Sequence, residues 1–216
     1  VSFSDAKLAK FAAAIYRPGS IPWTHYNDGN DAAGVCWGLM RCAGVDVIAL
    51  RGSLTLRDWL RDLDLFADPL FGGALGPVHP GFLCGMRETW ATIRPLLEQP
   101  AIVTGHSLGA ARASILTALM TLDGFRPLRR VVFGEPRPGF AKLASIVGAA
   151  GRSYCNSDDA ERNRDPVCDL PFSFPPEEYV HATPLSFVSA PPTPAIAAAL
   201  GPFALHDMSL YVQALQ

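Results

Sequence analysis

Five residues, Gly105-His106-Ser107-Leu108-Gly109, set a serine hydroxyl between two glycines. The apolar run Ala101-Ile102-Val103-Thr104 leads into them and an apolar stretch from Leu108 to Leu122 leads away. Taken as strand, turn and helix, this order makes a nucleophile elbow, a bend so tight that a Cβ at the flanking glycines would collide with the neighbouring strand or helix. Such a bend presents Ser107 Oγ at a helix N-terminus. It also aims the amide of Leu108 at a substrate carbonyl oxygen, as an oxyanion donor aided by the helix dipole. The chemistry this implies is attack on an acyl carbon. A hydroxyl is a weak nucleophile until an imidazole removes its proton, and the imidazole needs a carboxylate to fix its tautomer and stabilise its charged form.

An elbow of this kind places the acid after the serine and the histidine after the acid. Only His181 and His206 lie downstream of Ser107. His181 falls in Glu178-Tyr179-Val180-His181, which reads as strand, where a packed ring is the usual outcome. His206 ends a loop and precedes Asp207-Met208-Ser209-Leu210-Tyr211, the start of a helix from which a ring can reach over the sheet edge, so the pattern favours His206 as base. The acid stays open among Asp158, Asp159, Glu161, Asp165 and Asp169. Asp165 is set apart by Pro166, which restricts the residue before it to extended backbone. His106 is expected to project to the other side of the elbow and to act as structural support.

These groups need a scaffold. Leu8, Phe11, Ala12 and Ile15 recur at helical spacing behind Ser4, a suitable N-cap. Val35 to Arg41 and Val45 to Leu50 read as a hairpin around Ala43-Gly44. Phe82, Leu83, Met86, Trp90, Ile93, Leu96 and Leu97 predict one long helix after Pro80-Gly81, ended by Pro100. The strand at Ala101, the helix from Leu108 to Leu122 and a strand from Arg130 to Phe133 complete a β-α-β-α-β alternation. That order argues for a mostly parallel central sheet with helices on both faces. In the proline-rich last third, Ser153 to Asn156 reads as a strand. Val180 to Thr183 and Leu185 to Ser189 read as a pair across Pro184, and a Pro-Ala-rich loop runs to a final helix from Asp207. The expectation is one α/β domain over residues 1–216.

Composition removes several function classes. With 49% hydrophobic and 18% charged residues, the 216-residue chain has the makings of a full core. Eighteen basic and 20 acidic side chains give a formal charge of −2 with no basic block to neutralise a row of phosphates, which argues against a nucleic-acid partner. The longest apolar stretch, Ile196 to Leu205, contains Gly201 and Pro202 and is too short for a transmembrane segment, so the chain reads as soluble. It begins at Val1 without a charged-then-apolar leader, leaving the compartment open between cytoplasm and secretion with the leader removed. Cys36, Cys42, Cys84, Cys155 and Cys168 cannot all pair within one chain. Cys36 and Cys42 stand roughly 20 Å apart if extended, Cys155 and Cys168 flank a loop and can meet, and buried free thiols are the ordinary reading. No spacing fits a metal site, and nothing sets an oligomeric state.

The motifs, taken together, resemble the class 3 lipase family, the fungal-lipase-like branch of the α/β-hydrolases. Five segments carry the likeness in order: Leu50-Arg51-Gly52-Ser53 with Trp59 to Leu63, Val78-His79-Pro80-Gly81-Phe82, Val103 to Ala110, Phe133-Gly134-Glu135-Pro136-Arg137-Pro138-Gly139, and Asn163-Arg164-Asp165-Pro166-Val167. The resemblance implies an α/β-hydrolase fold with Ser107 as nucleophile, Asp165 as acid and His206 as base. It adds Ser53, through its amide and hydroxyl, as second oxyanion donor beside Leu108, and it makes Tyr179-Val180-His181 a structural strand. Ala110 departs from the family, which has glycine there, and Pro191 to His206 match little beyond the histidine and Tyr211.

Leu56, Trp59, Leu60 and Leu63 recur at i, i+3, i+4 and i+7, with Thr55, Arg57, Asp58, Arg61 and Asp62 on the other side, so residues 54–63 read as a short amphipathic helix. Its place after Ser53 resembles the family's lid, whose apolar face covers the acyl site; Phe66, Leu70 and Phe71 would line the groove beyond. The implied activity is a serine carboxylic-ester hydrolase, a lipase or esterase that cleaves acylglycerol or other lipophilic esters through an acyl-enzyme. Transient contact with a lipid interface goes with it, and neither cofactor nor metal is called for. Phospholipase A1, thioesterase and acyltransferase activity use the same triad, and an inactive lipid-binding scaffold is the reading from outside enzymology.

Overall fold

A computed structural model describes residues 3–53, 70–148, 151–157, 163–172 and 178–216. The expected lid, 54–63, with Leu56, Trp59, Leu60 and Leu63, lies outside the described residues, as do Phe66, Asp158, Asp159 and Glu161.

Helix α1 (Asp5–Ala14) is capped by Ser4, whose side chain accepts the Lys7 amide. Strands β1 (His25–Asn27), β2 (Trp37–Cys42) and β3 (Val45–Leu50) run antiparallel. Ala43 and Gly44 make the β2–β3 turn with φ of 52° and 77°, the paired positive values that a two-residue hairpin of matching twist requires. Then come β4 (Leu70–Phe71) and β5 (Pro77–Val78), which form a separate small sheet, α2 (Pro80–Leu83), α3 (Met86–Ile93), β6 (Ala101–His106), α4 (Leu108–Leu122) and β7 (Arg129–Phe133). The chain closes with α5 (Ala141–Val147), β8 (Gly151–Asn156), β9 (Leu185–Val188), α6 (Pro194–Leu200) and α7 (Met208–Ala214).

The main sheet has the order β1-β2-β3-β6-β7-β8-β9, parallel from β3 onward. Alternation along the strands feeds two cores. Ile48, Leu50, Val103 and Val132 pack against α2 to α5, while Val47, Ile102, Val131 and Phe133 pack against α1 and α7. Layers on both faces leave the carboxyl ends of the parallel strands as the place where loops converge, the usual ligand position in open α/β sheets.

Three expectations are corrected. The helix expected from Phe82 to Leu97 is broken at Cys84-Gly85, because Gly85 takes φ +74° against the carbonyl of Ala33, and it ends in a 3₁₀ turn, Arg94–Leu96. No hairpin spans Pro184: β9 pairs in parallel with β8, and Val180 bridges Gly139 instead. The Pro-Ala-rich loop is largely helical, since Thr193 caps α6 and a 3₁₀ segment, Gly201–His206, carries the chain to α7. Among the described residues no single helix is long and apolar enough to cross a membrane.

Candidate active site

The turn between β6 and α4 is a strained elbow. Ser107 has φ 60° and ψ −131°, a region that L-residues avoid at a cost of about 1–3 kcal/mol. Its amide is held by the carbonyl of Phe133 at 3.0 Å. The flanking glycines are there for space: a Cβ on Gly105 would stand 2.4 Å from the Gly109 carbonyl oxygen, and one on Gly109 would stand 2.2 Å from that of Leu50. Leu108 opens α4, where amides have no intrahelical acceptor. Ser53 follows the end of β3 and lines the same cavity as Ser107.

Asp165 and His206 meet although 41 residues separate them. His206 Nδ1–H donates to Asp165 Oδ2 at 2.7 Å, Tyr211 donates its hydroxyl to the same oxygen at 2.5 Å, and the Val167 amide donates to Oδ1 at 2.9 Å. Burial alone would raise the Asp165 pKa, but the His206 charge and hydrogen bond, with those of Tyr211 and Val167, outweigh it and hold the carboxyl below its usual range. With Nδ1 committed, Nε2 of His206 carries the lone pair; it is buried and has no hydrogen-bond partner among the described residues. Ser53, Ser107 and His206 line one cavity of about 730 Å³.

The rivals fall elsewhere. Asp169 is tied to Arg164 at 2.7 Å and Arg137 at 3.3 Å, and His181 does not line the cavity. Leu70, expected beside an acyl groove, is exposed in β4 and is likewise absent from the cavity wall. The expected place of His106 is corrected as well. Its ring lies against that of His206, centroids 4.5 Å apart, and its Nε2 reaches the His206 carbonyl at 2.8 Å. The five cysteines are all free.

Sequence reading missed the residues that fix the Asp165 side chain. Tyr211 accepts the Asn156 amide at 3.1 Å while it holds Asp165. Asn156, buried at the end of β8, accepts the Asp165 amide on its carbonyl at 2.8 Å, and its side chain donates to the carbonyls of Ala190 and Leu205. The available signal was an asparagine closing the strand directly after Tyr154 and Cys155. Gly134, just after β7, has φ +56°, and a Cβ there would stand 2.8 Å from both Asp165 Oδ2 and His206 Cε1. Gly134→Ala should therefore push the pair apart and lower kcat/KM on the order of 100-fold, the scale of a misplacement of about 1 Å. A short-ester assay beside a melting curve checks this; wild-type turnover would mean that the pair has room to move.

The sequence profile of the family described as lipase (class 3) matches residues 47–174. The chain belongs to the class 3 lipase family. Among its relatives, the secreted mono- and diacylglycerol lipase 1 of Fusarium solani is 30% identical over 132 residues, 56% of this chain and 39% of that protein. The secreted mono- and diacylglycerol lipase A of Penicillium cyclopium is 28% identical over 159 residues, 67% of this chain and 48% of the relative. This class 3 lipase chain thus spans less than half the length of those two relatives. The crystal structure of the mono- and diacylglycerol lipase from Aspergillus oryzae superposes with a TM-score of 0.65 at 20% identity, covering 89% of this chain and 82% of that one, which establishes the α/β-hydrolase fold.

Proposed function

We propose that this chain is a serine carboxylic-ester hydrolase that cleaves acylglycerols and other lipophilic esters, residues 1–216 acting as one catalytic domain. The observation that carries the reading is the unpartnered Nε2 of His206, oriented by Asp165 and sharing a cavity with the strained Ser107. His206 Nε2 takes the Ser107 proton as Oγ attacks the ester carbon, and the amides of Leu108 and Ser53, with the Ser53 hydroxyl, hold the oxyanion. His206 then returns the proton to the departing alcohol. A water, deprotonated by the same nitrogen, cleaves the acyl-enzyme and frees the carboxylic acid. The relatives named as secreted mono- and diacylglycerol lipases support this substrate class and an extracellular place of action. Residues 54–63, directly after Ser53, are proposed as the lid.

One observation favours a phospholipase A1 reading as second choice. The cavity runs along the seam of α1 and α7, past Ala13 and Val212, to Lys10, Arg17 and Gln216. Among the described residues neither Lys10 nor Arg17 forms an ion pair, and the one acidic side chain in the wall, Asp207, already accepts the Ser209 amide at 2.9 Å. Two cations on that seam suit an anionic head group.

A fluorophosphonate probe and three substrates test both readings. Labelling of Ser107 with hydrolysis of diacylglycerol emulsion supports the lipase; an unlabelled wild type would refute it. A rate that climbs steeply once an oil phase forms supports the lid, whereas smooth saturation argues for an open site. With Lys10→Glu and Arg17→Glu combined, the ratio of anionic phospholipid to soluble-ester hydrolysis should fall about 10-fold, two exposed cations being worth roughly 1 kcal/mol or less each; an unchanged ratio removes the second reading.

A further inference from the structure

Three segments distant in sequence meet at one imidazole. His106 Nε2 lies 2.8 Å from the backbone oxygen of His206. A carbonyl only accepts, so Nε2 bears the proton and Nδ1 is bare. Tyr16 then donates its hydroxyl to Nδ1 at 3.0 Å, and the Tyr16 oxygen accepts the Gly52 amide at 3.1 Å. The directions are forced along the whole chain: Gly52 N–H to Tyr16, Tyr16 O–H to His106, His106 N–H to His206. Gly52 precedes Ser53, and His106 precedes Ser107.

We propose that His106 is a positioning residue, holding the backbone of the base and, through Tyr16, the backbone beside the second oxyanion donor in register with the nucleophile. The proposal rests on the serine-hydrolase reading. Asp165 grips the His206 ring and Asn156 holds the carbonyl of Leu205 before it, which leaves the peptide after His206 to turn at the junction of the 3₁₀ segment and α7. The bond from His106 removes this freedom, and it ties the base to the residue beside Ser107 instead of to the Pro-Ala-rich segment that delivers it. Tyr16 extends the same restraint to the loop after β3.

The ring must be neutral for this. A second proton on Nδ1 would take away the acceptor of the Tyr16 hydroxyl proton and would set a cation 4.5 Å from the ring that becomes charged when Ser107 attacks. Burial, then the proximity of His206, depresses the His106 pKa to about 3, against the opposing pull of Asp165 and of the His206 carbonyl. The remaining titratable neighbours, Tyr16 and Tyr211, are pushed up by burial and stay protonated. The His106 ring therefore stays neutral near neutral pH and keeps its bond to the His206 carbonyl.

The test compares His106→Leu, His106→Gln and Tyr16→Phe on a soluble ester, each rate divided by the sites titrated with a phosphonate. Leucine keeps bulk and loses both bonds; glutamine can still donate to the His206 carbonyl. Per titrated site, kcat should fall about 30-fold for leucine and recover to within about 5-fold of wild type for glutamine, with KM little changed, on the scale of an ångström-sized misplacement. Tyr16→Phe, the variant least able to disturb folding, should lose several-fold in kcat. A purely structural role predicts fewer titrated sites and normal turnover at each. Wild-type kcat per site in His106→Leu, equal loss in leucine and glutamine, or wild-type kcat in Tyr16→Phe would overturn the proposal while leaving the hydrolase reading in place. A wild type that the phosphonate does not label overturns both.

Discussion

Ser107→Ala should lower kcat on a soluble ester by about 10⁶-fold, the loss expected when the nucleophile of a cooperating serine, histidine and acid is removed. The melting temperature should stay close to wild type, because alanine retains the Cβ and the Ser107 amide keeps its bond to the Phe133 carbonyl. Ser107→Gly separates chemistry from strain. It should be equally inactive yet more stable, since glycine relaxes the φ 60°, ψ −131° backbone. Strain of about 1–3 kcal/mol, less up to about 1 kcal/mol of added unfolded-state entropy, leaves a gain of roughly 1 kcal/mol, or about 2–4 °C for a chain of this size. Calorimetry on the pair reads it directly. A glycine variant that melts below the alanine variant would show that the elbow is not under strain, and residual turnover of about one hundredth of wild type in either would move the nucleophile elsewhere.

The elbow was legible because its requirements are local. A strand, two glycines around a serine and an apolar helix all lie within residues 101–122, and the structure returns α4 with the expected bounds. The hairpin at Ala43-Gly44 was legible for the same reason. Asp165 and His206 were harder, because a carboxylate and an imidazole 41 residues apart are joined by topology that no spacing encodes, and the resemblance carried the choice of acid. Gly134, Asn156 and Tyr211 were invisible as a group. Each looks ordinary in its own segment, and only the convergence of β7, β8 and α7 at one end of the sheet gives them a shared task. His106 was misplaced on the far side of the elbow because side-chain direction at a strained residue's neighbour depends on the tertiary contact, here with Tyr16 and His206. The break at Gly85 is similar, since only the fold brings the Ala33 carbonyl to within 1.9 Å of where a Cβ at that position would stand.

Asp165→Asn should reduce kcat by about 10⁴-fold at neutral pH while the fold persists. The reason lies in which atom an asparagine must turn where. In the wild type Oδ1 accepts the Val167 amide, and Oδ2 accepts both His206 Nδ1–H and the Tyr211 hydroxyl, so the carboxylate faces three donors. An amide has one oxygen. Aimed at Val167, it presents its NH₂ to His206, which must then leave Nδ1 bare and carry its proton on Nε2, the nitrogen needed to receive the Ser107 proton. Aimed at His206, it sets NH₂ against the Val167 N–H, a buried donor facing a donor, at a cost of about 1–3 kcal/mol. The first arrangement is favoured, and it holds the base in the inactive tautomer. The same donors keep the Asp165 pKa below its unfolded value, so the ionised carboxylate stabilises the fold above about pH 4, and that contribution is lost as pH falls through the lowered native value. Asparagine cannot titrate. The stability gap between variant and wild type should therefore be widest near neutrality and narrow in acid, a trend that denaturant melts across pH would follow. Less than a tenfold loss of kcat, or a gap that does not narrow, would mean that Asp165 does not set the His206 tautomer.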